Sequence, residues 1–294
     1  MKAVVTGAAG FAGYSLVDAL LKKNNEVYAI LRPGSEHNKR FKPDTAGLHL
    51  IELDCADFDK IADFVQTDCE VFYHLAWFGG RDDFEVQKKN IDYCLMALES
   101  AGKLNCKRFV GIGSQAEYGV TQGIQSESLM PNPVNSYGSA KTAAMYLSKR
   151  RAGQLDIEWI WGRIFSLYGD FEPSGRMLPD LMRGLKNNED FCLSSCRQNW
   201  DYLHVKDAAE AIIAIGTHGL SGEIYNIANG DYRPLKEFVE EVKLISDSDS
   251  TISYGRDPEP FIALQPDVSK IKRDTGWAPI IDFSTGVKDF LNDI

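Results

Sequence analysis

The chain has 294 residues, 44% of them hydrophobic and 25% charged, and a formal net charge of −10. That length buries a large core, as one two-lobed unit or two domains. The acidic balance argues against a nucleic-acid partner, which needs basic patches. No apolar run reaches membrane-spanning length and no signal-peptide apolar region opens the chain, so a cytoplasmic protein without a membrane partner is expected.

The first elements are a β-branched strand, Ala3–Thr6, and an amphipathic helix, Gly13–Lys23, with Leu16, Val17, Leu20 and Leu21 on one face. Between them stand Gly7, Gly10 and Gly13 in GxxGxxG spacing. A strand-to-helix turn of this kind lets the backbone approach a pyrophosphate and aims the helix N-terminal N–H groups at it. Further strands are expected at Glu26–Leu31, Leu48–Leu53, Val71–Leu75, Arg108–Ile112 and Glu158–Arg163, with helices around Lys60–Gln66, Glu85–Ala101 and Tyr137–Arg151. Repeated βα units imply a parallel sheet covered by helices on both faces, with ligands at the carboxyl ends of the strands. After Arg163 the loops lengthen and prolines accumulate. Helical stretches at Leu178–Leu185, Ala208–Ile215, Leu235–Ile245 and Ser284–Leu291 mix with short strand-like pieces such as Ile224–Ile227. The expected organisation is a dinucleotide-binding domain over 1–163 with a return segment near 202–216, and a substrate-binding lobe over 164–201 and 217–294.

Six scattered cysteines, at positions 55, 69, 94, 106, 192 and 196, fit reduced thiols better than a disulfide framework. Cys192 and Cys196 have no second ligand pair nearby, so no metal site is expected.

Chemistry is concentrated in two segments. Tyr137 and Lys141 stand at i and i+4, on one helix face. A free tyrosine titrates near ~10. A neighbouring ammonium and a positively charged nicotinamide would each stabilise the phenolate, letting Tyr137 exchange a proton with a substrate oxygen. Ser114, at the carboxyl end of the Arg108 strand, can hydrogen-bond that same oxygen.

Together these residues resemble the extended short-chain dehydrogenase/reductase family of nucleotide-sugar epimerases, dehydratases and reductases. The resemblance spans the chain: the glycine motif, Asp54 after the third strand, Val71–Ala76, Asn90, Ser114–Gly119, Tyr137 with Lys141, Arg163–Gly169, Asp201–Val205, Tyr225–Ile227, and Asp267–Lys270 with Gly276–Pro279. It implies a Rossmann-type doubly wound α/β fold with a smaller C-terminal lobe, and a catalytic set of Ser114, Tyr137 and Lys141. It also implies a cofactor shell of Gly7, Gly10, Phe11, Ala12, Gly13, Asp54, Cys55, Leu75, Ala76, Asn90, Tyr137 and Lys141. His74, in strand context, reads as structural.

Family 4,6-dehydratases carry Asp-Glu after their catalytic Thr. Here Gln115 and Ala116 follow Ser114, and an amide and a methyl cannot shuttle the protons of an elimination. Ser166 and Trp200 stand where many members have Asn and Arg at the nucleotide diphosphate. Gln115, Ser166, Trp200, Arg176, Arg197 and Arg256 are therefore the substrate-binding candidates beside Ser114. The second strand ends at Arg32 with no acid, and Ser35, Asn38, Lys39 and Arg40 follow, a donor cluster that favours NADP(H) over NAD(H). The expected activity is NADPH-dependent reduction of a nucleotide-linked 4-keto sugar, of the 4-keto-6-deoxy class. Its rivals are a 4-epimerase holding NAD(P) tightly and a non-catalytic NADP-sensing module. A homodimer is implied, paired through Glu85–Ala101 and Tyr137–Arg151, with Leu95, Met96, Leu98, Met145 and Leu147 as candidate apolar surface.

Overall fold

The computed structural model describes residues 1–293. Its elements are, in chain order, β1 (Lys2–Thr6), α1 (Phe11–Lys22), β2 (Glu26–Leu31), β3 (Leu48–Glu52), α2 (Ile61–Val65), β4 (Val71–His74), α3 (Phe84–Lys103), β5 (Arg108–Ser114), α4 (Ser136–Gln154), β6 (Glu158–Ile164), β7 (Ser166–Tyr168), α5 (Met177–Lys186), β8 (Phe191–Leu193), β9 (Asn199–Trp200), β10 (Tyr202–His204), α6 (Val205–His218), β11 (Ile224–Ile227), β12 (Arg233–Pro234), α7 (Leu235–Ile245), β13 (Ile252–Tyr254), α8 (Ser269–Thr275) and α9 (Phe283–Asp293).

Seven parallel strands form one sheet in the order β11-β6-β5-β4-β1-β2-β3. Alternation along the strands divides its side chains between two cores. Val5, Ala29, Tyr73 and Val110 face α1 and α6, whereas Val4, Ile30, Phe72 and Phe109 face α2, α3 and α4. Both faces are thus covered, as a parallel sheet requires. Strand order reverses between β1 and β4, which opens a crevice at their carboxyl ends.

The expected strands and helices of the first half are present with bounds shifted by a few residues. One expectation is corrected. Ile224–Ile227, read as part of the smaller lobe, is the sheet's seventh strand, in register with β6 from Trp161 to Ile164. The chain's return through α6 therefore continues into the sheet. Four residues are too few for periodicity to reveal which sheet they join.

The smaller lobe packs α5, α7 and α9 around Tyr168, Tyr202, Phe238 and Phe283, with the Phe238 and Phe283 rings 4.7 Å apart. Three two-stranded ladders, β10-β7, β12-β9 and β13-β8, complete it. Two further expectations are corrected on α3 and α4: Leu98 and Met145 are buried in the protein's own core, while Leu147 is exposed. Among the described residues no helix is long and apolar enough to cross a membrane.

Candidate active site

The turn after β1 is built on backbone contact. Gly7 has φ +69°, and a Cβ there would lie 2.7 Å from the Ala76 amide nitrogen; a Cβ on Gly13 would lie 2.1 Å from the Gly7 carbonyl oxygen. Only glycine allows the turn, the β4 exit and the first turn of α1 to come this close. Gly10 is the N-cap of α1 and offers no side chain to its N–H groups. Those donors and the helix dipole suit a phosphate. The residues present thus fit a dinucleotide pyrophosphate.

A cleft of about 1070 Å³ runs from this turn along the carboxyl ends of the strands to the smaller lobe. Gly7, Gly10, Phe11, Ala12, Gly13, Arg32, Asp54, Cys55, Leu75, Ala76, Ser114, Tyr137 and Lys141 all line it, as do the substrate candidates Gln115, Ser166, Arg176 and Trp200. Three candidates lie elsewhere. Asn90 is buried on α3 and donates to the Phe78 carbonyl at 2.8 Å, so it holds the loop after β4 from behind. Arg197 is exposed and paired with Asp257. Arg256 is exposed outside the cleft lining.

The basic cluster after β2 also divides. Arg32, Ser35, His37 and Asn38 line the cleft, and Arg32 has no ion pair among the described residues. Arg40 turns inward: it donates to the Ala9 carbonyl at 2.8 Å and stacks on Phe171 with 4.6 Å to the ring centre. Lys39 is spent on an exposed pair with Glu36. The Asn38 amide is held by Glu52 and by the Arg32 carbonyl.

Ser114 ends β5 and caps a short 3-10 turn, accepting from the Ala116 amide at 3.1 Å. Beneath it the Glu117 carboxylate accepts from the Ser114 amide (2.9 Å), the Trp161 indole (3.0 Å) and Arg163 Nε (2.8 Å). Glu117 and Arg163 are both buried. A buried pair with every carboxylate bond made is a rigid base for the serine. Sequence reading missed this role, because the partners are separated by 46 residues.

Tyr137 and Lys141 rise from the first turns of α4, whose N-cap Asn135 accepts from the Gly138 amide at 2.8 Å. Lys141 is 3% exposed. Its ammonium donates to the Ile112 carbonyl at 2.5 Å, lies 3.7 Å from the centre of the Trp77 ring, and is 5.9 Å from the Tyr137 ring centre. Burial pushes the lysine down to about 7. Burial raises the Tyr137 phenol; the Ser114 hydroxyl opposes this, Glu117 adds to it, and Arg81 and Arg176 oppose it. The Lys141 ammonium is turned towards β5 and Trp77. His74 is buried and neutral, pushed down to about 3 by desolvation, with Nδ1 2.9 Å from the Thr6 hydroxyl, consistent with a structural role.

Sequence reading also missed Trp77, Arg81 and Glu172, which line the cleft. None belongs to a spaced motif. Trp77 and Arg81 are placed by tertiary hydrogen bonds, from the Trp77 indole to Gln87 and from the Tyr137 amide to the Arg81 carbonyl.

The description "NAD dependent epimerase/dehydratase family" belongs to a family profile that matches residues 3–228. The chain is 26% identical to CDP-abequose synthase of Salmonella muenchen, over 99% of this chain and 97% of that protein. It is 28% identical to dTDP-6-deoxy-L-talose 4-dehydrogenase (NAD(+)) of Aggregatibacter actinomycetemcomitans, over 82% of this chain and 89% of that one. Its fold is that of UDP-glucuronic acid 4-epimerase from Bacillus cereus in complex with NAD, with a TM-score of 0.87, 24% identity, and 100% and 99% of the two chains covered.

Proposed function

The chain belongs to the NAD dependent epimerase/dehydratase family, and we propose that within it this protein is an NADPH-dependent reductase of a nucleotide-linked 4-keto-6-deoxy sugar. The observation that carries this reading is the chemistry around Ser114. The serine and the Tyr137 phenol line one cleft with the glycine turn. Gln115 and Ala116 follow the serine, and the one adjacent carboxylate, Glu117, is buried and fully bonded. A hydroxyl and a phenol can polarise and protonate a ketone oxygen, while the amide and methyl of Gln115 and Ala116 cannot carry the protons of a dehydration. The name of the Aggregatibacter relative supports chemistry at C4 of a 6-deoxy sugar, since oxidation at C4 is the reverse of this reduction.

The glycine turn and Asp54 would hold the dinucleotide, with Lys141 at the nicotinamide ribose. Bound there, reduced nicotinamide supplies hydride to the ketone carbon. Tyr137 gives its proton to the oxygen, which Ser114 steadies by a hydrogen bond. Arg32, with Ser35 beside it, supports NADPH, because both line the cleft after β2 and β2 ends without an acid. Arg176 and Trp200 line the substrate end.

Purified protein should consume NADPH in proportion to a nucleotide-linked 4-keto-6-deoxy sugar. Interconversion of 4-hydroxy nucleotide sugars without net NADPH loss would replace this reading with a 4-epimerase. That second reading is favoured by the fold shared with the Bacillus cereus epimerase, because a Ser, Tyr and Lys set serves either direction of hydride transfer.

A further inference from the structure

The segment that leaves β7 bends repeatedly before it reaches α5. Gly169 has φ +127° and Gly175 φ +81°, and between them Phe171 has φ +64°. A bulky side chain keeps a left-handed backbone only where its surroundings hold it there. What holds Phe171 belongs to the dinucleotide-binding half of the chain. Its ring meets the Tyr14 ring of α1 edge-on, with centres 4.9 Å apart, and the Arg40 guanidinium stacks on it at 4.6 Å. Tyr14 also packs on Phe41, with ring centres 5.2 Å apart. Asp170 pairs with Lys206 of α6 at 2.9 Å and fixes the root of the segment.

Arg40 ties this contact to the glycine turn itself. It donates at 2.8 Å to the carbonyl of Ala9, which stands between Gly7 and Gly10. Ala9 and Gly10 line the cleft, and so do Glu172, Gly175 and Arg176 from the same segment as Phe171. The Arg176 guanidinium lies 5.9 Å from the ring centre of Phe11, the first residue of α1. The segment thus reaches from the smaller lobe to the turn, and Phe171 fastens it there. Phe171 is 46% exposed. The fastening is therefore one aromatic pair and one cation–π contact at the surface, strong enough to hold a strap and weak enough to release it.

We propose that residues 169–176 are a strap across the pyrophosphate site of the glycine turn, latched by Phe171 on Arg40 and Tyr14, and that opening this latch governs exchange of the dinucleotide. The proposal rests on the dinucleotide reading of the turn and not on the identity of the sugar. The latch is made of the chain's own side chains, so it closes the strap equally with the site filled or empty. Weakening it raises the open population of both states by the same factor. Uptake and release then quicken together and the affinity stays nearly constant. A side chain that touches the dinucleotide acts differently, since its loss changes affinity mainly through release. A reductase must exchange its dinucleotide at every turnover, so this step bears on its kcat, whereas an epimerase recycles the cofactor in place.

The test is stopped-flow fluorescence of cofactor association and displacement on the full chain. NADPH and NADH are both used, and rates are read with the tighter of the two, so a failed phosphate preference does not disturb the result. Phe171→Ala should raise both rate constants about tenfold and leave Kd within about twofold of wild type. Phe171→Tyr keeps the ring and should behave as wild type. Adding Arg40→Met to Phe171→Ala should raise neither rate further, because both changes break one contact. Hydrogen exchange of the protein without cofactor gives an independent readout: amides of 169–176 should exchange faster in Phe171→Ala while those of α1 keep their protection. A weakened Kd with an unchanged association rate would make Phe171 part of the binding wall, and unchanged rates would make it plain surface. Either result overturns the latch. If no 4-keto sugar is reduced while both rates respond to Phe171→Ala, the reductase reading fails and the latch stands.

Discussion

Glu172 is a carboxyl that the fold keeps from water at the edge of the cleft. One of its oxygens has no partner, and burial pushes the group up to about 7, against the partial relief of Arg176 and the Gly169 backbone. The folded state therefore holds a proton that the unfolded chain releases near 4.5. Stability associated with this group is fully present below the unfolded value and is lost as pH rises through about 7. Glu172→Gln should raise Tm at about pH 8 and change it little at about pH 5, with a gain of at most about 3 kcal/mol. The ion pair it forfeits is half-exposed on the Arg176 side and contributes little. Equal effects at both pH values in a thermal melt would show that the carboxyl is ionised in the folded protein. Tyr137 carries the complementary prediction for turnover. Tyr137→Phe deletes one oxygen, leaves the ring against Trp77, and should lower kcat by about 10²–10⁴. NADPH affinity, measured by fluorescence titration, should stay near wild type. Turnover at the wild-type rate would identify a different acid.

The strand-turn-helix at the N-terminus was legible because its requirement is steric and local. Three backbone segments meet where a Cβ has no room, so glycine is written at each contact. Gly13→Ala pushes a methyl against the Gly7 carbonyl, and a backbone atom cannot swing aside. It should weaken NADPH by tenfold or more and cost about 1–3 kcal/mol of stability. Unaltered affinity in a titration and an unaltered melt would mean that the turn relaxes freely. The loop after β2 was legible only in part. Its composition marks a basic segment, but composition does not say which cations face the ligand. The aromatic ring of Phe171, from the distant smaller lobe, draws Arg40 away, and Glu36 takes Lys39. Arg32 remains, so the cofactor preference rests on fewer groups than the sequence offered. Arg32→Asp should cost about 1.5–3 kcal/mol of NADPH binding and much less of NADH binding. Equal wild-type affinity for the two cofactors would remove the case for a phosphate preference. The β4–α3 loop was not legible at all, since Gln87 and Asn90 fix Trp77 and Arg81 through bonds no spacing rule anticipates.

For the whole molecule, strand-and-helix alternation made the parallel sheet readable, whereas the joining of β11 to β6 depends on a return through α6 that periodicity cannot trace. The smaller lobe was readable as helices but not as ladders, because strands of two or three residues leave no alternation to detect. The same molecule-wide view bears on assembly. On α3, Phe84, Gln87, Lys88 and Ile91 follow one helical stripe, with Leu95 next in line; on α4, Ser136, Ser139, Ala140 and Ala143 do the same, with Tyr146 and Leu147 beyond. These stripes border a groove of about 470 Å³. Phe84 is 64% exposed, Tyr146 57% and Leu147 49%. Large apolar side chains aligned on two adjacent helices are what a two-fold axis would bury as a four-helix bundle. We expect a homodimer through this face. Light scattering at micromolar concentration should give twice the chain mass, and Ala143→Glu with Leu147→Glu should give the monomer mass. The charged pair lies on the outer side of α4, away from Tyr137 and Lys141 on the cleft side, so NADPH binding should survive dissociation. Wild-type protein that scatters only as a monomer would leave these side chains as plain exposed surface.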